Sequence, residues 1–440
     1  MMDLDLPVPL SASYKGTFAY GTVKDRIPKI LTKLVDTCHK QVKNVEELHG
    51  KDGCVDALSV VGKLSQLRSE IMTDKPLTYL DDTLPDVHIW NQRFDAYVKD
   101  KGQLPTWFTA PWLYIECYMY RKIQGIIHKS KFMSNFDTFM DQKQRALEQS
   151  LDAVRSLTKF LHDCTGAGKL NDCNHVKSLF SDFIQISLWG NKCDLSISGG
   201  EENAQSTAGP HENLQALHKF VLVNGIDKMW KHLNTVQKNK QVHIDIILDN
   251  AGFELFTDLV LCEFLLKTKL VDSIRLHPKI MPWFVSDVTN SDFQWTLDRL
   301  ESEPLDGVAE FIGSLRERIN DKQIQLERSD AMTMFWSFPD AFCRMQKSSP
   351  QLYNYLSKSD LIIFKGDLNY RKLVGDLDWP HETPFATTLR GFTPAPLCAL
   401  RTSKANVMVG LEPGQAERAE SEDENWMVAG KYAVIQTWMP

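Results

Sequence analysis

Apolar residues recur at helical spacing through the first part of the chain. Between residues 25 and 42 they fall on one helical face, at Ile27, Ile30, Leu31, Leu34, Val35 and Cys38. Segments 112–127, 141–161 and 176–187 repeat this spacing, and loops containing Pro76, Pro85 and Pro105 interrupt the series. The pattern therefore predicts a helical region over residues 1–195 that packs on the rest of the protein.

The character of the chain changes after this region. Residues 196–213 are rich in glycine, serine and acidic residues and nearly free of apolar ones, which predicts an exposed polar loop. From residue 214 onward, short apolar runs alternate with helical patterns. Strands are predicted at 242–248, 273–276, 283–285, 331–336, 361–364, 397–401 and 432–438, and helices at 252–267 and 293–300. This alternation predicts an α/β domain over 214–440, a three-layer α/β/α Rossmann-like arrangement with a largely parallel sheet.

Composition and charge narrow the class of protein. Of 440 residues, 43% are hydrophobic and 24% charged, as in globular proteins. The net charge of −7 is spread without long runs of one sign, which argues against a nucleic-acid partner or a membrane-surface partner. No run reaches the roughly 18 apolar residues of a membrane span, and the N-terminus lacks a signal-peptide pattern. Nine scattered cysteines without a CxxC pair indicate reduced thiols and a cytoplasmic or nuclear protein.

The clearest candidate chemistry follows the first strong strand of the α/β region. In parallel α/β sheets, ligands bind beyond the carboxyl ends of the strands. Strand 242–248 is followed directly by Asp249 and Asn250, and Gly252 permits a tight turn into the next helix. Carboxylate and amide oxygens suit magnesium or manganese, and a helix N-terminus favours phosphate. A plain Asp/Asn helix cap is the alternative, and this segment alone favours it.

Glu254 and Asp258 lie four residues apart on the predicted helix. Acids in a first helical turn are ordinarily favoured by the helix dipole, and this is the preferred interpretation of Asp258. For Glu254 the interpretation stays open, because its side chain could instead point back over the turn toward Asp249.

Other predicted strands end in polar residues of the same kind. Asp287 follows the apolar segment 283–285, where the alternative is again a helix cap. Strand 361–364 ends in a Lys365-Gly366 turn, followed by acidic, amide and basic residues at Asp367, Asn369, Arg371 and Lys372. Arg401 and Lys404 follow the next strand. Backbone amides and basic side chains in such loops can hold phosphate, although a solvated basic loop is common. Convergence at one sheet edge makes the functional interpretation stronger than any single loop does.

Several familiar motifs are excluded. Residues 191–194 match the guanine-reading NKxD pattern, and residues 166–170 resemble part of a phosphate loop, but no GxxxxGK[ST] motif occurs in the chain. A GxGxxG motif after a strand, HExxH and GxSxG are also missing from the sequence. GTPase, dinucleotide-binding, zinc-protease and serine-hydrolase functions therefore lack support.

Taken together, six segments of the sequence resemble the damage-control phosphatase family, in its sugar-phosphate branch with an RTxK element. These segments are 116–121, 188–196, 248–254, 284–287, 365–372 and 401–404. The likeness runs from about Phe18 to the C-terminus, and the positions that would bind metal show no departure from the family pattern.

The resemblance implies a metal-dependent phosphatase for sugar monophosphates such as fructose 1-phosphate and fructose 6-phosphate, working with manganese, nickel or cobalt, with magnesium as a further option. It implies metal ligation by Asp249, Asn250 and Asp287, and catalytic roles for Asp249 and Asp287. The implied substrate contacts are Asp249, Asn250, Glu254, Asp287, Asp367, Leu368, Asn369, Tyr370, Arg371, Arg401 and Lys404. Asn191 and Asp194 would border the pocket.

These implications lead to a mechanistic hypothesis. The metal would bind a phosphate oxygen while Lys404 and Arg371 neutralise the remaining charge, and attack would come from water at the metal or from Asp249 itself. The same resemblance also implies a rival activity, S-adenosylmethionine-dependent methylation of protein glutamates, with the replication sliding clamp as partner. No glycine-rich adenosyl-binding loop follows the first strand, which weakens the rival. An interaction protein with a decayed site is disfavoured, because the motif positions keep chemically capable side chains.

Overall fold

Helices dominate the chain up to residue 190. The computed structural model describes residues 6–166, 168–190, 214 and 216–440. The helices of this first part are α1 (Phe18–Gly21), α2 (Ile27–Met72), α3 (Val87–Lys101), α4 (Trp112–His128), α5 (Met140–Glu148), α6 (Leu151–Thr165) and α7 (Cys173–Leu188). A π-helical turn, Thr22–Arg26, joins α1 to α2, and a 3₁₀ turn, Lys169–Asn171, precedes α7. Helix α2 is kinked at Gly50, where φ is 68°. The predicted helices are confirmed, except that 141–161 forms two helices.

A seven-stranded sheet forms the centre of the remaining chain. Its strands are β1 (Val221–Asn224), β2 (His243–Ile247), β3 (Ser273–His277), β4 (Ile324–Leu326), β5 (Leu361–Lys365), β6 (Leu397–Thr402) and β7 (Ala433–Trp438). The spatial order is β1-β7-β6-β5-β2-β3-β4. One block of the sheet is parallel throughout and consists, in spatial order, of β6, β5, β2, β3 and β4. At its edge, β7 pairs antiparallel with β6, and β1 runs parallel to β7. The prediction of an α/β fold with a largely parallel sheet is confirmed.

Helices connect and cover these strands. They are α8 (Ile226–Val236), α9 (Phe253–Lys267), α10 (Asn290–Glu301), α11 (Val308–Asn320), α12 (Met345–Ser348), α13 (Pro350–Leu356), α14 (Gly366–Val374), α15 (Phe385–Thr388) and α16 (Gln415–Glu422). Short 3₁₀ segments occupy Thr333–Ser337 and Phe342–Arg344. No described helix has the length and apolar character needed to cross a lipid bilayer.

The sheet is buried on both faces, which explains its continuous apolar strands. In β5, Ile362 and Phe364 belong to one hydrophobic cluster, whereas Leu361 and Ile363 belong to the other. Helices α2 to α4 pack in the first cluster, and α6 to α11 pack in the second. Because successive side chains of a strand point to opposite faces, a strand between two helical layers needs apolar residues at every position. The result is a three-layer molecule.

Two strand predictions are wrong. Residues 283–285 form a turn, because Phe284 and Val285 have φ values of 43° and 72° that a strand cannot contain. Residues 331–336 lie in a turn and the Thr333–Ser337 3₁₀ helix. The rings of Phe335 and Trp336 pack against Phe342, so the apolar run serves an aromatic cluster instead of a sheet. A short buried run does not reveal by its periodicity which of these structures it adopts.

The strand order creates a crevice between β2 and β5. From β2 the chain proceeds to β3 and β4 on one side, and then returns to place β5 on the other side of β2. Such a reversal leaves a cleft outside the carboxyl ends of the two strands, where ligands bind in open α/β sheets. The residues after β2 and β5 are therefore the first place to look for a functional site.

Candidate active site

Two loops at the sheet edge pair through their backbones and bring the predicted acids together. Asn250, after β2, forms an isolated antiparallel bridge with Asp287. The amide of Ala251 donates to the carbonyl of Ser286 (2.7 Å), and the amide of Val288 donates to the carbonyl of Asp249 (2.8 Å). The two predicted strand-end segments therefore form one fixed unit.

Asn250 organises the side chains of this unit. Its amide nitrogen donates to Asp249 Oδ2 (2.8 Å) and to Glu254 Oε2 (2.7 Å), while its oxygen accepts a hydrogen bond from Ser286 Oγ. Glu254 thus points back over the turn toward Asp249, the alternative that the sequence left open. Asp249, Glu254 and Asp287 are 8%, 6% and 2% exposed, so three acids share a buried space.

The buried acids repel one another. Burial raises the pKa of Asp249 well above its usual value, and the charges of Glu254 and Asp287 raise it further, against the opposing effects of Lys279 and Lys404. Burial also raises the pKa of Asp287 to about 6, although Lys279 counteracts it. A positive charge placed among these groups would relieve the repulsion.

Lys279 is a charge that the sequence analysis missed. It follows β3, is 1% exposed and donates from Nζ to the carbonyl of Leu248 (3.1 Å). Its Nζ lies 3.4 Å from Asp287 Oδ2, close enough for an ion pair, yet Oδ2 has no hydrogen-bond donor among the described residues. The strand-end reasoning applied to Asp249 would have found Lys279, had the end of β3 been examined in the same way.

Gly366, the first residue after β5, allows the close approach of the two strands' ends. Its φ is +82°, and a Cβ at this position would lie 1.9 Å from Asp249 Oδ2. Any side chain would therefore displace the Asp249 carboxylate, and the left-handed backbone conformation adds strain for residues other than glycine. The glycine turn predicted from the sequence has a steric reason in the site.

Asp258 has a structural partner in Lys365, the last residue of β5. Lys365 Nζ lies 2.7 Å from Asp258 Oδ1 and 3.5 Å from Glu254 Oε1, and Ser187 Oγ donates to Asp258 Oδ1 (2.6 Å). This buried cluster joins α7, α9 and β5 directly beneath the acids. The preferred interpretation of Asp258, a first-turn acid favoured by the helix dipole, misses the ion pair that holds it.

The RTxK segment is fixed by Asp367. Asp367 Oδ1 accepts hydrogen bonds from Arg401 Nε (2.7 Å) and from the backbone amide of Lys404 (3.0 Å). Arg401 is fully buried, lies over the ring of Tyr370 at 4.2 Å, and donates from Nη2 to the carbonyl of Ala405 (3.0 Å). Arg401 therefore shapes the loop, while the side chain of Lys404 stays exposed.

Arg371 is held by two acids from different parts of the chain. It donates from Nε and Nη2 to Asp376 (2.7 and 3.0 Å) and from Nη1 to Glu116 Oε2 (2.7 Å). Its guanidinium lies 3.7 Å from the ring centroid of Trp112. Its charge is therefore largely balanced, and it offers less net positive charge to a ligand than the sequence suggests.

A cavity of about 120 Å³ joins these groups. Of the predicted site residues, those lining it are Asp249, Asn250, Asp287, Asp367, Leu368, Arg371 and Lys404. Asn369 is turned into the structure, where it donates to the carbonyls of Leu248 and Lys365, and Tyr370 donates to Gln436. Glu254 reaches the cavity through Asn250. Asn191 and Asp194 lie outside the described residues.

The helical region supplies the opposite wall of the cavity. Its lining residues there are Thr22, Arg26, Ile27, Ile30, Trp112, Glu116 and Tyr120. Arg26 ends the π-helical turn and is exposed, and its side chain forms no ion pair within the described part of the chain. Helical periodicity identifies the apolar face of α2, but it does not show which distant residues a polar side chain such as Arg26 lies beside. No signal in the sequence therefore pointed to Arg26. π-Helical turns are frequent at functional sites.

The side chains at Asp249, Asn250 and Asp287 fit a hard divalent cation. Asp249 and Asp287 offer carboxylate oxygens and Asn250 an amide, and no described residue donates a hydrogen bond to Asp287 Oδ2. Over the described ranges, no group of three or more His, Cys, Asp or Glu residues has metal-binding spacing. Two acids and one amide would leave coordination positions for water and phosphate oxygens, as magnesium-type sites do.

The crevice at the switch point of this α/β sheet has buried acidic residues on one side and basic residues on the other. This combination is typical of proteins that bind phosphorylated ligands. The chain belongs to the damage-control phosphatase family: residues 22–419 match the family model described as the damage-control phosphatase ARMT1-like domain. The resemblance found in the sequence is thereby confirmed, as is the prediction of a phosphatase.

Full-length relatives support the same membership. The chain is 43% identical to the damage-control phosphatase ARMT1 of Danio rerio over 99% of its length and 97% of the relative's. It is 42% identical to the protein of that name from Mus musculus and 39% identical to that from Homo sapiens, with 98% of both chains covered in each comparison. The match therefore includes the helical region as well as the sheet.

Proposed function

We propose that this protein is a metal-dependent phosphatase that hydrolyses small sugar monophosphates, of the fructose 1-phosphate and fructose 6-phosphate type. The observation that carries the proposal is the cavity in which Asp249, Asn250 and Asp287 face the exposed cation of Lys404. One side of this cavity suits a divalent metal ion, and the other suits the negative charge of a phosphate group.

The size of the cavity supports a small substrate. Pockets for drug-sized ligands typically enclose about 300–1,000 Å³, whereas this cavity encloses about 120 Å³. Such a space suits a phosphate group with part of a small polyol better than a nucleotide. The net charge of −7 likewise favours a small-molecule partner over nucleic acid or an anionic membrane.

The residues would divide the work as follows. Asp249, Asn250 and Asp287 would hold the cation, which when bound supplies positive charge to the phosphate oxygens. Lys404 and Arg26 would neutralise the charge that develops on the outer phosphate oxygens, since neither side chain forms an ion pair within the described residues. The charge of Arg371 is already balanced by Glu116 and Asp376. Its main role would therefore be to position the substrate, and it would neutralise little of the phosphate charge.

Two nucleophiles are compatible with this arrangement. Asn250 and Gly366 fix the Asp249 carboxylate, which would either attack phosphorus directly or orient a water molecule that attacks. Hydrolysis of a chirally labelled phosphate ester separates the two routes. Inversion at phosphorus would support a single attack by water, and retention would support a covalent intermediate on Asp249.

Phosphate release tests the proposal. The full-length chain would be given fructose 1-phosphate and fructose 6-phosphate, with manganese, nickel, cobalt or magnesium or with a chelator. We expect metal-dependent release that falls at least about 100-fold in the Asp249→Ala and Asp287→Ala variants, the usual cost of removing a group that acts on transition-state charge. Asp36→Ala, which removes an exposed acid on α2, should leave the rate unchanged.

S-adenosylmethionine in a parallel reaction tests the methyltransferase alternative, which the family match does not favour. Phosphate release that is missing with every metal, or that persists in both aspartate variants, would contradict the proposed function.

A further inference from the structure

A second cavity lies behind the wall that carries Arg371. It encloses about 490 Å³ and is larger than the candidate active site. Helix α3, the start of α4, the segment 339–344 and the loop after α14 surround it. The two cavities are neighbours, because Asp376 lines the second cavity while its carboxylate binds Arg371, which lines the first.

Arg390 lines this second cavity, and two of its guanidinium nitrogens lack hydrogen-bond partners among the described residues. These are its Nε and Nη2 atoms, which are buried. Its guanidinium packs against Gly375, where a Cβ would lie 2.1 Å from Nη2, so its position depends on that glycine. Buried N–H donors without partners are costly, and a bound ion or ordered water usually accounts for them.

The other charges of the cavity do not neutralise Arg390. Arg93 pairs with Asp340, Lys101 with Asp100, and Asp376 with Arg371. Arg344 reaches Asp340 only at 4.0 Å, and its side chain is 73% exposed. After these pairings, Arg344 and Arg390 remain as excess positive charge. Burial lowers the pKa of Arg390, and the charge of Arg344 lowers it further against the opposing effect of Cys343.

We propose that this second cavity binds an anionic small molecule, and that the guanidinium of Arg390 recognises its phosphate or carboxylate group. An arginine guanidinium binds either group through charge-assisted hydrogen bonds. Arg344, at the exposed side, contributes additional positive charge. The site is separate from the proposed metal centre and does not depend on the proposed phosphatase reaction.

Calorimetric titration of the full-length chain tests the site, with inorganic phosphate and succinate as separate probes. We expect at least one probe to bind, and Arg390→Met to weaken that binding at least about 10-fold, because it removes a charge-assisted hydrogen bond to the anion. Arg145→Met, which removes an exposed arginine on α5, should leave the affinity unchanged. Phosphate bound near Asp249 would survive both changes.

Ala96 gives an independent test that leaves Arg390 intact. It is an exposed residue of α3 on the wall of the second cavity, so substitution should not disturb folding. Ala96→Glu should abolish the same binding event by introducing a carboxylate, and the neutral Ala96→Gln should retain it. The titration with phosphate and the titration with succinate together identify whether the cavity recognises a phosphate or a carboxylate group. Equal affinity in the wild type, Arg390→Met and Ala96→Glu, or no binding of either probe, would overturn the inference.

Discussion

Gly366 determines where the Asp249 carboxylate can lie. Alanine at this position would place a Cβ 1.9 Å from Asp249 Oδ2 and would strain a backbone with φ +82°. We expect Gly366→Ala to lower kcat/KM at least about 100-fold and to lower the free energy of unfolding by about 1–3 kcal/mol.

Gly62→Ala is the matched control for this change. Gly62 lies inside α2, and a Cβ there meets no atom within 4 Å. Alanine should preserve activity and slightly stabilise the helix. Steady-state kinetics and urea unfolding of both variants test the prediction, and full activity of Gly366→Ala would show that Asp249 can occupy another position.

Arg26 is predicted to contribute to phosphate binding from the helical side of the cavity. Its exposed guanidinium lines the cavity and would form a charge-assisted hydrogen bond of about 1.5–3 kcal/mol with a phosphate. Arg26→Ala should therefore lower kcat/KM roughly 10- to 100-fold. Lys29→Ala removes an exposed cation from the next turn and should have little effect. Similar kinetics for both variants would exclude a role for Arg26.

At the scale of secondary-structure elements, Arg121 ties helix α4 to the loop before α3. It is fully buried and binds Asp82 through Nη1 and Nη2 (2.8 Å each) and Asp86 through Nε. Burial raises the pKa of Asp82, but the hydrogen bonds and charge of Arg121 outweigh this effect and lower it overall. Since α4 supplies Trp112, Glu116 and Tyr120 to the cavity, this ion-pair network supports the wall of the site.

The lowered pKa of Asp82 predicts a pH-dependent stability difference. Asp82→Asn should lower the free energy of unfolding by about 3 kcal/mol at pH 7, because it breaks a buried ion pair. A carboxyl with a depressed folded pKa stabilises the protein above its unfolded pKa of about 3.9, and loses this contribution as pH falls through the folded pKa. Urea unfolding at pH 7, 5 and 3 should give an equal difference between wild type and variant at the first two values and a smaller one at pH 3. A constant difference would contradict this account.

Strands β2, β5 and β6 could be predicted from sequence because both faces of the sheet are covered. Most positions in them are apolar for the same physical reason, and polar residues then mark the carboxyl ends. The parallel arrangement brings those ends together, so Asp249, Asp367 and Lys404 could be assigned to one edge of the sheet. Asp287 was assigned there through a predicted strand at 283–285 that is a turn in the structure. Their chemical roles remain predictions.

The contribution of the helical region could not be predicted in this way. Periodicity reports which face of a helix is buried, but not which distant element covers it. The position of Arg26 in the cavity and the pairing of Arg371 with Glu116 depend on contacts between segments that are far apart in sequence. The turn at Phe284 and Val285 was also hidden, because positive φ values in such residues are held by surrounding structure and leave no sequence pattern.

At the scale of the whole molecule, three buried acids in one cavity should couple stability to metal binding. Burial raises the pKa values of Asp249 and Asp287, and the charge of Glu254 raises both further, which indicates repulsion among these acids. Manganese at about 100 times its dissociation constant should stabilise the protein by about 2.7 kcal/mol. Thermal unfolding with and without manganese measures this effect. Asp287→Asn should unfold at a higher temperature than wild type without metal, and should respond less to manganese. A metal response equal to that of the wild type would remove Asp287 from the ligand set.

The cavity joins parts of the chain that are made far apart in time during synthesis. Thr22 and Arg26 lie on one wall, and Lys404 lies on the other. A ribosome that has translated the acids at 249 and 287 has still to release β5, β6 and the loop that contains Lys404. Nascent chains and prematurely terminated chains therefore lack a complete cavity. Under the proposed function, hydrolysis of cellular metabolites would begin only after the segment that contains Lys404 has been translated and has folded onto the sheet.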